Sequence, residues 1–192
     1  MKMPELTYRV VAYEALNPIS IYRVSLKMDF VNWALELLEN GCDSKNAAIL
    51  AGSKKSEIFE ILENYFKNTL KDFGLKPLSG EDAKYSYAYY HVLQISRSIN
   101  LWEQLHILDD FYCQYIYDNS KFYDRIENFS KLLFAWKNIE DKENNSLFCD
   151  PHTTGLEYYY LQPDEIEVTA INLAKEWIEE YVEKNMLRFY SE

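Results

Sequence analysis

Cys149-Asp150-Pro151-His152 is the one place in this chain where a thiol and an imidazole lie close in sequence. A thiolate beside an imidazole can act as a nucleophile or as half of a zinc site. Neither use is complete here, because no second Cys or His cluster supplies the missing groups. A turn around a buried thiol is the simpler reading, since free cysteine mostly behaves as a small hydrophobe. His106 is a second starting point. Asp109 and Asp110 follow it by three and four positions, which on a helix sets a carboxylate one turn away. Such a carboxylate can orient the ring or share a metal. One His and two Asp still fall short of the four ligands a zinc site normally takes.

Other chemical patterns are incomplete or missing. Glu103-Gln104-Leu105-His106 is a single Glu-x-x-His step, and di-iron bundles need that step on paired helices. The close Arg–His spacing of helical ribonucleases is not met, with eight residues between Arg97 and His106. His91, inside Tyr-Ala-Tyr-Tyr-His-Val, reads as a satisfied core or rim histidine. There is no phosphate-cradling Gly-rich loop, no Gly-x-Ser-x-Gly elbow and no His-Glu-x-x-His. The chain is therefore expected not to be an enzyme and to use no cofactor and no metal.

The elements around these residues are helical. Phe30, Trp33, Ala34, Leu37 and Leu38 form an apolar stripe at spacings of three and four. Asp29 is the expected N-cap of that helix, and Asn40-Gly41 its end. Asp43 or Ser44 caps a short second helix, and Ser53 or Ser56 opens a third that Gly74 stops. A Tyr-rich helix is expected at about Glu81–Ser98. The next is capped by Asn100, with Leu101, Leu105, Leu108, Tyr112 and Tyr115 on one face. Another is capped by Ser120, with Phe122, Ile126, Phe129, Leu133 and Trp136 on one face. Pro163 starts the last helix, whose apolar face is Ile166, Ala170, Leu173, Ala174, Trp177, Ile178 and Tyr181.

Two regions read differently. Thr7–Tyr13 and Ile19–Leu26 are rich in Val, Ile and Tyr and could pair as a hairpin across Asn17-Pro18. The same residues can form a short helix with Pro4 in its first turn, which the helical remainder favours. Residues 140–162 interrupt the periodicity and read as a long loop, with an extended piece at Leu156–Leu161. The fold expected is all-α: a single helical domain over residues 1–192 with six or seven main helices, and short extended or irregular pieces at those two places.

Composition narrows the function. With 31 acidic residues against 20 basic the net charge is −11, so phosphate backbones and anionic membranes are repelled. No direct nucleic-acid or membrane binding is expected, and a basic protein partner is favoured. The 17 Tyr, 10 Phe and 4 Trp supply both core rings and candidate contact rings. The three cysteines are widely spaced and imply no disulfide framework. The N-terminus carries no uninterrupted apolar signal segment, and a reducing cytoplasm is the expected location. From Asp164 to Lys184 there are seven acids and two lysines, so one helix carries much of the charge.

The stretch Trp33-Ala34, Leu37-Leu38, Gly41-Cys42-Asp43-Ser44 and Ile49-Leu50-Ala51-Gly52, followed by Glu57, Glu60 and Tyr65-Phe66, resembles a pattern of small acidic bacterial proteins. A looser likeness extends to the Tyr-rich stretch near 85–95. In size, acidity and lack of catalytic motifs this group is similar to immunity proteins of bacterial toxin systems. The resemblance implies an antitoxin-type protein that binds and neutralises a basic toxin domain, a nuclease being the natural target. A helical scaffold for a non-toxin protein partner is the alternative, and a metal- or thiol-dependent enzyme using His106, Asp109, Asp110 or Cys149 ranks below both. The expected contact residues are Glu176, Glu179, Glu180 and Glu183 on the last helix, with Asp150, Glu157, Tyr158, Tyr159 and Tyr160 before it.

Overall fold

A computed structural model describes residues 2–16, 22–54, 56–115, 123–143 and 158–183. Those residues form eight α-helices and one 3-10 turn, and no strand occurs among them. The helices are α1 Thr7–Val11, α2 Tyr22–Glu39, α3 Lys45–Ala51, α4 Phe59–Asp72, α5 Gly80–Ser96, α6 Leu101–Tyr115, α7 Tyr123–Glu143 and α8 Pro163–Glu183. The 3-10 turn Tyr13–Leu16 follows α1. The fold class is all-α, and no described helix is long and apolar enough to cross a membrane. Contacts divide the chain into two compact units, the first reaching Tyr90 and the second beginning at His91. No shift of composition announces that division.

The first unit is built on stacked rings. Phe30 of α2 lies parallel to Phe66 of α4 at 4.1 Å between centroids. Trp33 meets Phe66 edge-on at 5.3 Å, and Tyr13 stands edge-on to both Phe30 and Phe66 at 5.6 Å. The edge-on arrangements suit the ring quadrupole. The N-terminal segment is helical, not a hairpin, over its described part. Thr7 N–H donates to Pro4 O at 3.0 Å, and the α1 face Leu6, Val10 and Val11 is buried.

Two of the expected helix starts are corrected. Asp29 is not an N-cap: it lies inside α2. Its carboxylate accepts a 2.9 Å bond from Arg9 Nε, twenty residues away in sequence. The Arg9 guanidinium also faces the Tyr87 and Tyr90 rings at 5.8 and 5.9 Å. Burial works against the Arg9 charge, but Asp29 and the two phenols outweigh it and hold the guanidinium protonated. Nor do Ser53 or Ser56 open α4, which begins at Phe59 after Ile58 with no side-chain cap. Ser53 Oγ instead donates back to Ile49 O at 3.0 Å, and Lys27 Nζ ties down Glu57 O at 2.9 Å. The α3 start is as expected, with Ser44 Oγ accepting from Ala47 N–H.

In the second unit α6 packs on α7 and α7 on α8. Leu101, Leu105 and Leu108 of α6 and Ile126, Phe129 and Leu133 of α7 are buried, as their spacing implied. Trp102 stacks on Trp136 at 3.9 Å across this pair. The last helix starts at Pro163 as expected. Glu165 accepts from the Gln162 backbone N–H at 2.7 Å, the carboxylate half of a capping box. The Ser120 cap, Phe122 and residues 144–157 lie outside the described residues.

Two measurements test this packing. Asp29→Ala strands a withdrawn guanidinium and should lower unfolding free energy by about 3 kcal/mol in urea titration. The pair replacement Arg9→Met with Asp29→Leu should lose clearly less; equal losses would mean that the ion pair does not hold α1 to α2. The second concerns alkali. Burial, with Tyr89 and Glu5 alongside, pushes the Tyr8 phenol up from 10.0 to about 12. Burial also raises Tyr13, with Glu63 accepting its hydroxyl bond at 2.8 Å, and it raises Tyr90 in spite of Arg9. The folded state therefore keeps these protons more tightly than the unfolded chain. The Tyr8 contribution is complete below pH 10 and is lost as pH climbs through about 12, and the raised Tyr13 and Tyr90 act in the same direction. Helical dichroism and tyrosinate absorbance should change together in that window, and early tyrosinate formation with intact helicity would contradict it.

Candidate functional site

The outward face of α8 follows from which residues α8 buries. Ile166, Ala170, Ala174 and Trp177 are buried. The residues opposite, Asp164, Glu165, Val168, Asn172, Lys175, Glu176 and Glu179, are all exposed. Steps of three and four place them on one stripe. Four carboxylates and one ammonium make this stripe acidic. Asp164 and Glu165 also sit where the helix dipole stabilises negative charge.

Of the acidic residues expected at a partner surface, Glu176 and Glu179 lie on this stripe. Glu180 lies on the half-buried flank and is already engaged. Glu183 closes α8, and its side chain is outside the described residues, as are Asp150 and Glu157. Tyr158–Tyr160 form a turn leading into α8, closed by Leu161 N–H to Tyr158 O at 3.2 Å. Tyr158 and Tyr159 are half-buried, while Tyr160 is 76% exposed and meets Tyr159 edge-on at 5.1 Å. The extended segment expected at Leu156–Leu161 is a turn over its described residues.

The α5–α6 turn adjoins this face. Ser98 Oγ donates to Glu167 Oε1 at 2.7 Å. The residues that follow these two, Ile99 and Val168, are 44% and 57% exposed. The turn is made in an unusual way. Three helices end with the same pair of backbone bonds, in which the second residue past the helix takes a left-handed conformation. Cys42 and Gly41 bond to Leu37 and Leu38, Leu75 and Gly74 to Leu70 and Lys71, Ile99 and Ser98 to Gln94 and Ile95. Gly41 and Gly74 hold φ values of +84° and +69° without strain, but Ser98 holds +55° and Asn100 follows at +48°. This is why α5 stops at Ser96, short of the expected Ser98.

Neither Ile99 nor Val168 stood out by residue type. Val168 has a legible signal all the same, since it falls outside the apolar periodicity of its own helix. Ile99 has none, because nothing in Ser-Ile-Asn announces a left-handed turn.

The residues read for chemistry separate. His91 is buried, with Nδ1 at 2.6 Å from Gln104 Oε1. His106 and Asp110 are exposed on α6. Asp109 is turned inward, where Ser130 Oγ donates to it at 2.5 Å. Among the described residues no group of three or more His, Cys, Asp or Glu side chains is placed to hold a metal ion. Cys149 and His152 lie outside those residues. No protein-family model, curated protein or solved structure matches the chain.

The left-handed Ser98 gives a prediction about this turn. Ser98→Gly removes the steric penalty on φ and should raise stability by about 1 kcal/mol, because an exposed hydroxyl–carboxylate bond is worth less than the strain. Chemical denaturation reads this directly. A net loss would mean that the bond to Glu167 outweighs the backbone cost.

Proposed function

We propose that this chain is an immunity-type protein that binds a basic toxin domain, a nuclease, and covers its active site with the outward face of α8. The observation that carries the reading is the stripe of Asp164, Glu165, Glu176 and Glu179, opposed on that face by Lys175 alone. A nuclease must hold phosphate with Lys and Arg. A row of carboxylates on a rigid helix meets the same cations without offering a bond to cleave. The chain's net charge of −11 adds long-range attraction. Tyr160, exposed beside the start of α8, supplies a ring of the kind that dominates binding energy at interfaces. The resemblance of residues 33–66 to small acidic bacterial proteins, and action in the cytoplasm, belong to the same proposal.

The test begins with the product of the neighbouring gene. Co-expression with this chain should abolish its toxicity, and the two purified proteins should bind. Reversing two charges, Glu176→Lys with Glu179→Lys, should slow association by about tenfold or more at low salt and change dissociation much less. A neighbouring product that is harmless, or association indifferent to both the reversal and molar salt, would leave a scaffold for another partner as the better account.

A further inference from the structure

The acidic stripe is interrupted near its N-terminal end by Val168, one turn beyond Asp164 and Glu165 on the same face. The Ser98–Glu167 bond ties the turn that carries Ile99 to the residue just before Val168. An isolated exposed Val or Ile would need no explanation. Three features set this pair apart. Both residues are β-branched, so they enter an interface with few rotamers to lose. Ile99 stays exposed although it occupies the position after a left-handed helix end, where an apolar residue commonly folds back onto the helix. Ser98 and Asn100 on either side of it are held in left-handed backbone without glycine, and strain of that kind gathers at sites under functional constraint.

We propose that Ile99 and Val168 are the apolar anchor of the α8 surface. The occupant they take is a segment of a basic protein that presents an aliphatic side chain flanked by Lys or Arg. This rests on the reading of α8 as a partner face and adds what gives that face its selectivity. Carboxylates attract any cationic surface, but an apolar pair beside them rewards one that carries a hydrophobic residue at the matching place. The occupant follows from charge complementarity: Asp164 and Glu165 lie one turn before Val168 on the same face, and a neutral or acidic segment would desolvate these carboxylates without supplying a cation. Electrostatics would set the rate of encounter, and burial of Ile99 and Val168 the lifetime of the complex.

The probes are two synthetic peptides of identical charge, one with leucines set among lysines and arginines, the other with serine at each leucine. Ile99→Ser with Val168→Ser changes no charge and touches only exposed side chains, so circular dichroism should match the parent. The leucine peptide should bind the parent more tightly than the serine peptide. The double substitution should weaken the leucine peptide about tenfold and leave the serine peptide unchanged. Failure of the leucine peptide to bind, or an equal effect of the substitution on both peptides, overturns the anchor. The variant Glu176→Lys with Glu179→Lys separates the two ideas, since it should weaken both peptides alike. If it leaves both unchanged while the serine substitutions act, the anchor stands and the charge-based function falls.

Discussion

Trp33 has no exposed surface in the core of the first unit, so water cannot reach its indole N–H. Thr7 Oγ1, itself buried, accepts that proton at 2.9 Å. The same demand recurs wherever a large ring or planar group is withdrawn from solvent. The Tyr13 hydroxyl finds Glu63, the Arg9 guanidinium finds Asp29, and the His91 ring finds Gln104. Large rings remove much apolar surface from water, but most of those used here carry a polar atom inside with them. A buried donor left alone forfeits about 1 to 3 kcal/mol, so each ring dictates what its neighbour must be. α1 lies on α2 through two such obligations, Trp33 to Thr7 and Arg9 to Asp29. Asn138, buried on α7 with neither carboxamide atom bonded, is one place among the described residues where the demand is not met.

Shortage of glycine is the second constraint. The chain has five glycines, and Gly41 and Gly74 close helices with relaxed left-handed backbone. The α5 end has no glycine to use, yet it forms the same pair of closing bonds with Ser98 in that conformation. A helix end built on glycine would be more stable and less committed to one path. Built on Ser98, it also gains a hydroxyl that reaches Glu167 and fixes the turn against α8. The local backbone is thus less relaxed while its position is better defined.

These two constraints explain what could be read in advance. Gly41, Gly74, Ser44 and Pro163 act within one helical turn of themselves, and their roles were legible from residue type and spacing. The apolar stripes of α6, α7 and α8 were legible for the same reason, because helical period alone decides which residues face inward. Asp29 was misread because capping is a local habit, whereas its real partner lies twenty residues earlier in the chain. Ser53 was misread because its hydroxyl turned back to the helix it leaves, not forward to the helix expected. Of the candidate surface, the acidity of α8 was plain in the sequence. The split between Glu176 and Glu179 outward and Glu180 on the flank depends on the rotation of the helix against α7.

That rotation also explains why the surface falls where it does. α8 meets its packing requirement with Ile166, Ala170, Ala174 and Trp177, two of them no larger than alanine. Small residues let a helix sit close to its neighbour, and the contacts they make leave the opposite side with no part in packing. A side free of that duty can take almost any polar residue, and solubility alone would be served by a mixture of signs. α8 instead carries four carboxylates against one lysine there, and sets a β-branched apolar residue among them. Asp164 and Glu165 suit the start of the helix, but Glu176 and Glu179 add like charge along one face, and valine is a poorer helix former than the alanine that the same helix uses inside. Under the proposal that α8 meets a basic partner, these broken preferences have a use, since the opposing charges and the apolar cover would come from that partner.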